Sequence, residues 1–99
     1  MLNESKERYV LDAYAIIAYL GDEFGAENIE NLLLKARNGE IELFASWVSI
    51  CEVYYQVQHR SSLQTAQTVV AALKSWPIRI ISAGERESMA AGNLKARYK

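Results

Sequence analysis

Strand-length apolar runs alternate with helix-length amphipathic stretches along this chain, and that alternation limits its possible folds more than any other feature. Residues 8–11, 41–45 and 78–81 are short and rich in Val, Ile, Leu and Phe. Between them the apolar residues fall at helical spacing. Ala13, Ile16, Ile17 and Leu20 recur at i, i+3, i+4 and i+7 until Gly21-Asp22 interrupts them. Ala26, Ile29, Leu32, Leu33 and Ala36 repeat the pattern up to Asn38-Gly39, a left-handed cap signal. Ser46 is placed to cap a third helix over 47–59. Ser61 with Gln64 reads as the capping box of a fourth, which Pro77 ends. Ser82 with Glu85 opens a fifth, and its inward positions Met89, Ala90, Leu94 and Tyr98 carry it to the last residue.

Strands separated by helices pair in parallel through right-handed crossovers. The expected fold class is therefore α/β: one three-layer α/β/α domain over 1–99 with a short parallel sheet, three strands in this chain. Three strands are few for a doubly wound sheet, and the last helix lacks a terminal glycine. On these grounds the domain reads as incomplete at its C-terminus.

With 99 residues, 51% of them apolar, one domain can bury a core without disulfides. Eleven basic and twelve acidic residues leave a net charge of −1, which argues against a protein that coats nucleic acid generally. Cys51 is the only cysteine, so there is no disulfide framework and no thiolate metal cluster. A reducing, cytoplasmic compartment fits best. The polar first eight residues lack a signal-peptide core, and no apolar run approaches a membrane span.

Asp12 ends the first apolar run, at the carboxyl end of the first strand, where open α/β sheets place their ligand sites. Glu52 lies on the helix that follows the second strand. Two carboxylates in equivalent strand-end positions suit a hard divalent cation such as Mg²⁺, which takes one or two carboxylates and keeps several waters. The plain alternative is a helix-dipole aspartate and a surface glutamate. On the third helix Ser49, Glu52, Gln56, His59 and Arg60 share a wedge of about 100°, and apolar residues including Val48 and Cys51 cover the rest. That composition predicts a largely buried helix whose polar wedge either meets open solvent or lines a cleft, and the strand-end position of the helix favours a cleft shared with Asp12. His59 reads as a surface or capping residue, Cys51 as a small buried one, and Trp47 and Trp76 as core or interface anchors. There is no glycine-rich phosphate loop.

In order along the chain, Tyr9-Val-Leu-Asp12-Ala-Tyr-Ala-Ile-Ile-Ala-Tyr-Leu20, the 27–39 helix, Ser46-Trp-Val-Ser-Ile-Cys-Glu52-Val-Tyr-Tyr55 and Ala90-Ala-Gly-Asn-Leu-Lys-Ala-Arg-Tyr98 form an ordered set. That set resembles the PIN-domain family, and within it the VapC-type toxins of bacterial toxin–antitoxin pairs. The resemblance implies a metal-dependent ribonuclease using Mg²⁺ (or Mn²⁺), in which Asp12 and Glu52 match the first two clustered acidic residues. Asp12 would hold the metal, and Glu52 would hold it or orient the attacking water. It implies an RNA substrate, a cognate antitoxin protein and a homodimer, with no membrane partner. The family's third aspartate follows beyond the match to Lys95-Ala96-Arg97-Tyr98, where this chain stops at Lys99. A relative shorn of catalysis, serving as a dimerisation or antitoxin-binding module, is the rival reading. Incompleteness would also expose apolar surface, and this predicts self-association near Tyr54, Tyr55 or Trp76.

Overall fold

The computed structural model describes residues 6–22, 25–82, 84–85 and 96–98. The elements run β1 (Glu7–Leu11), α1 (Ala13–Leu20), α2 (Ala26–Arg37), β2 (Ile41–Ser46), α3 (Trp47–Arg60), α4 (Leu63–Leu73), β3 (Arg79–Ile81) and β4 (Ala96–Tyr98). The sheet is parallel throughout its described pairings, in the order β3-β2-β1-β4.

This is the α/β architecture expected from the alternation, with one correction. The sheet has four strands, because Ala96–Tyr98 is extended and pairs with β1 where the tail of a fifth helix was expected. The edge of β1 away from β2 presents unpaired N–H and C=O groups, which a parallel partner satisfies and a helix cannot. A three-residue strand is also too short to display period-two alternation, so helical spacing is the stronger signal in the sequence there. The start of the expected fifth helix is present. Glu85 N–H donates to Ser82 Oγ and Ser82 N–H to Glu85 Oε1, each at 3.1 Å, the reciprocal pattern of a capping box. The stretch 86–95 lies outside the described residues.

Alternation along the strands assigns the two faces. Tyr9, Leu11, Ile41, Leu43, Ala45, Ile78 and Ile80 pack with α1–α4 in the main core. The intervening Val10, Phe44 and Ile81 form a separate buried cluster on the opposite face. Apolar residues are thus buried on both faces, the condition for a parallel sheet in a three-layer fold. Helices α1–α4 share one face, as two crossovers stepping in the same direction require. Near its centre Leu11, Ile16, Val53 and Leu73 are fully buried.

The helix ends follow local chemistry. Gly39 (φ +80°) closes α2: Glu40 N–H donates to Lys35 O at 2.9 Å and Gly39 N–H to Ala36 O at 3.0 Å. This is a Schellman cap, as Asn38-Gly39 suggested. Ser46 caps α3 by accepting from Ser49 N–H. The start of α4 is a correction of one residue: Ser62, not Ser61, is the cap, and it accepts from Thr65 N–H at 3.0 Å. Two adjacent serines offered the same chemistry, and Ser61 instead ends α3 with its N–H on Val57 O.

Candidate functional site

Asp12 follows β1 directly and is the N-cap of α1. Its Oδ1 accepts from Ala15 N–H at 2.9 Å, which ties one oxygen to the first turn. Oδ2 has no hydrogen-bond partner among the described residues, and Asp12 is half-buried. On one side β1 pairs with β2 with Val10 opposite Phe44, so extending the register two residues sets Asp12 level with Ser46. On the other side Leu11 lies opposite Tyr98. From β1 the chain steps outward to β2 and β3, then returns past β1 to β4. The β1–β4 junction is therefore the point at which strand order reverses, and Asp12 stands at its carboxyl end. In open parallel sheets a crevice opens there, because the helices to either side lie on opposite faces.

Glu52 is solvent-exposed in the second turn of α3, about 9 Å along the helix from Ser46. Helix α1 packs against α3, so the two carboxylates are carried by neighbouring elements that leave adjacent strands. Both supply hard oxygen donors. Among the described residues no group of three or more His, Cys, Asp or Glu is assembled for an ion. A carboxylate pair with no nitrogen or sulfur donor fits Mg²⁺ or Mn²⁺ in kind, since Mg²⁺ takes one or two carboxylates and retains water.

The polar wedge of α3 does meet a cleft, at its far end. Gln56 and Arg60 line a cavity of about 290 Å³ with Ile17, Leu20 and Val57. Asp12 and Glu52 do not line it. The α1 wall of that cavity, Ile17 to Gly21, lies about 8–14 Å along the helix from Asp12. Helix α3 is also less buried than its composition suggested. Only Ile50 and Val53 are buried, whereas Trp47 is 48% exposed, Val48 65% and Tyr55 64%. With α1 and α4 on its flanks and the sheet behind, α3 has one side left open, and apolar character alone did not reveal which.

Cys51 is likewise exposed rather than buried. His59 is exposed and stacks on Tyr55, with ring centroids 6.0 Å apart. Trp76 turns inward and meets the Tyr19 ring edge-on at 5.4 Å, so it is a core anchor, whereas Trp47 faces solvent. A hydroxyl pair not evident from the sequence lies at the start of α3. Ser46 Oγ and Ser49 Oγ are 3.2 Å apart at the start of α3, and Ser46 is buried. The sequence signal is two serines three residues apart at a strand end: Ser46 reads as a cap and Ser49 as part of the polar wedge, and nothing in the spacing alone pairs their hydroxyls.

A parallel α/β domain with a half-buried carboxylate at its switch point is of the class that binds ligands at the carboxyl edge of an open sheet. A family model, described as PIN domain, matches residues 9–99, and the chain belongs to that family. The match runs from within β1 to β4 and includes Asp12 and Glu52. Family membership carries a nuclease-type function, interaction with RNA and use of divalent metals in general terms. Comparison with curated proteins and with solved structures finds no match in either set. No helix among the described residues is long and apolar enough to cross a membrane.

Proposed function

We propose that this chain is a metal-dependent endoribonuclease of the VapC toxin type, held in check by a cognate antitoxin and acting as a homodimer. The observation that carries the reading is Asp12 at the strand-order reversal, one oxygen tied to α1 and the other available, in a chain matched by the PIN-domain model. Asp12 and Glu52 are the residues that would hold Mg²⁺ or Mn²⁺. When bound, such an ion supplies an activated water and offsets charge on the phosphate. The protein's part is placement. Ala15 N–H sets the plane of the Asp12 carboxylate, and the rigid end of β1 sets its height above the sheet. The exposed carboxylate of Glu52 would hold the ion or orient the attacking water.

The test is cleavage of a single-stranded RNA oligonucleotide with Mg²⁺ or Mn²⁺ against a chelator control, run beside Asp12→Asn. A pair of carboxylates holds an ion more weakly than a larger cluster, because each missing ligand removes charge and fixed geometry. Cleavage is therefore expected to be slow, saturable in metal, and lost with chelator and with Asp12→Asn. Antitoxin pairing is tested by expressing the chain alone and with the small protein encoded beside it. Growth arrest relieved by the neighbour supports the toxin reading, and indifference to both refutes it.

One observation favours the rival reading, a non-catalytic dimerisation or antitoxin-binding module: no larger metal-ligand group exists among the described residues. A folded chain that binds a partner and shows no metal-dependent cleavage at any Mn²⁺ concentration would decide for it.

A further inference from the structure

The two hydroxyls at the start of α3 are not equivalent. Ser46 is only 2% exposed, and its Oγ already accepts from Ser49 N–H at 3.1 Å. A hydroxyl buried to that degree cannot leave its proton without an acceptor except at considerable cost. The sole acceptor within reach among the described residues is Ser49 Oγ, at 3.2 Å. Among the described residues this makes Ser46 the donor of the pair and Ser49 Oγ the acceptor. This leaves the Ser49 proton without a protein acceptor among the described residues, on a half-buried side chain whose rotation is restrained by the bond it receives.

Its location gives that proton a use. Ser46 is level with Asp12 across the β1–β2 register, and Ser49 lies on the first turn above it. Glu52 is three residues on, so Ser49 and Glu52 are neighbours on one helix surface. No hydrogen bond joins them among the described residues. An oriented hydroxyl donor beside Glu52, one turn above the residue level with Asp12, is what an anionic substrate needs in order to be held close to acidic groups.

We infer that Ser49 is a substrate-contacting residue whose hydroxyl donates to a non-bridging phosphate oxygen of RNA, in an orientation set by Ser46. This rests on the nuclease reading above and adds to it a named phosphate contact and the residue that aims it. Ser49→Ala should remove the donor, Ser49→Thr should keep it, and Ser46→Ala should keep the hydroxyl but free its rotation.

The experiment has two arms, each on variants shown by circular dichroism to be folded. One measures kcat and KM for a single-stranded RNA oligonucleotide with Mn²⁺. The other measures fluorescence anisotropy of the same RNA oligonucleotide in chelator, where metal-dependent cleavage does not proceed, and so reads binding without turnover. We expect Ser49→Ala to lose about ten- to a hundred-fold in kcat/KM or in affinity, the scale of a hydrogen bond to a charged oxygen. Ser49→Thr should stay within about three-fold of the parent, and Ser46→Ala should fall between. Equal behaviour of Ser49→Ala and the parent in both arms overturns the inference, and the nuclease reading survives if Asp12→Asn still abolishes cleavage. Binding without cleavage, weakened by Ser49→Ala, upholds the phosphate contact and defeats the nuclease reading. A parent chain that neither binds nor cleaves overturns both.

Discussion

Asp12 has a structural role and a proposed chemical one, and a single substitution separates them. Asparagine caps a helix about as well as aspartate, whereas alanine does not. Asp12→Asn should therefore leave thermal stability within a few tenths of a kcal/mol and abolish metal-dependent cleavage. Asp12→Ala should abolish cleavage and also cost about 1 kcal/mol, read as a lower urea midpoint. Loss of activity accompanied by equal destabilisation in both variants would reduce Asp12 to a cap. Tyr9 offers a test of a different kind. Its hydroxyl donates to Glu7 Oε1 at 2.7 Å, and that bond, then burial, then the Glu7 charge, raise its pKa above 10.0. A phenol whose folded pKa is raised adds stability that is complete below the unfolded pKa and is lost as pH rises through the folded value. Stability should thus decline above about pH 10, and Tyr9→Phe should make that decline shallower. Parallel pH–stability curves for the two proteins would rule the bond out as a contributor.

Among the elements, α2 and α3 show how much of a helix is decided locally. The Schellman turn after α2 needs a left-handed residue, and Gly39 supplies it at φ +80°. A Cβ built there meets nothing within 4 Å, so Gly39→Ala carries backbone strain alone. The expected cost is on the order of 1 kcal/mol, seen as a shifted urea midpoint with an unchanged slope. An unaltered midpoint would mean that the turn relaxes. The boundaries of both helices could be read from Asn38-Gly39 and Ser46, since caps are short-range chemistry. The open face of α3 could not. Val48 and Val53 are alike as residues, yet one is 65% exposed and the other fully buried, because α1, α4 and the sheet occupy only some of the sides around the helix.

At the scale of the whole molecule, one core cluster ties α1–α4 to the sheet. Leu11 lies in it with 0% exposure, on the strand that positions Asp12. Leu11→Ala should cost on the order of 3 kcal/mol and loosen the carboxyl end of β1. Cleavage should then fall in a protein that is still folded at 25 °C, and retained full activity would show that β1 does not need its packing to place the site. The exposed side of α3, with Trp47, Val48 and Tyr55, is apolar surface of the sort that associates. A dimer mass by light scattering is expected, returning to monomer on Tyr55→Glu. A monomer in the parent at high concentration would count against the homodimer.

Period and punctuation in the sequence were enough to determine the α/β class, the order β-α-α-β-α-α-β, most of the caps and the strand-end place of Asp12. Each depends on residues near one another in the chain: spacing of apolar side chains, a glycine, a serine, a strand running into a helix. Contacts between distant residues decided the rest. Whether Ala96–Tyr98 is strand or helix depends on the unpaired edge of β1, far away in sequence. That added strand makes the position of Asp12 the point where strand order reverses. The asymmetry of Ser46 and Ser49 likewise comes from burial, since only a hydroxyl cut off from water must give its proton to its neighbour.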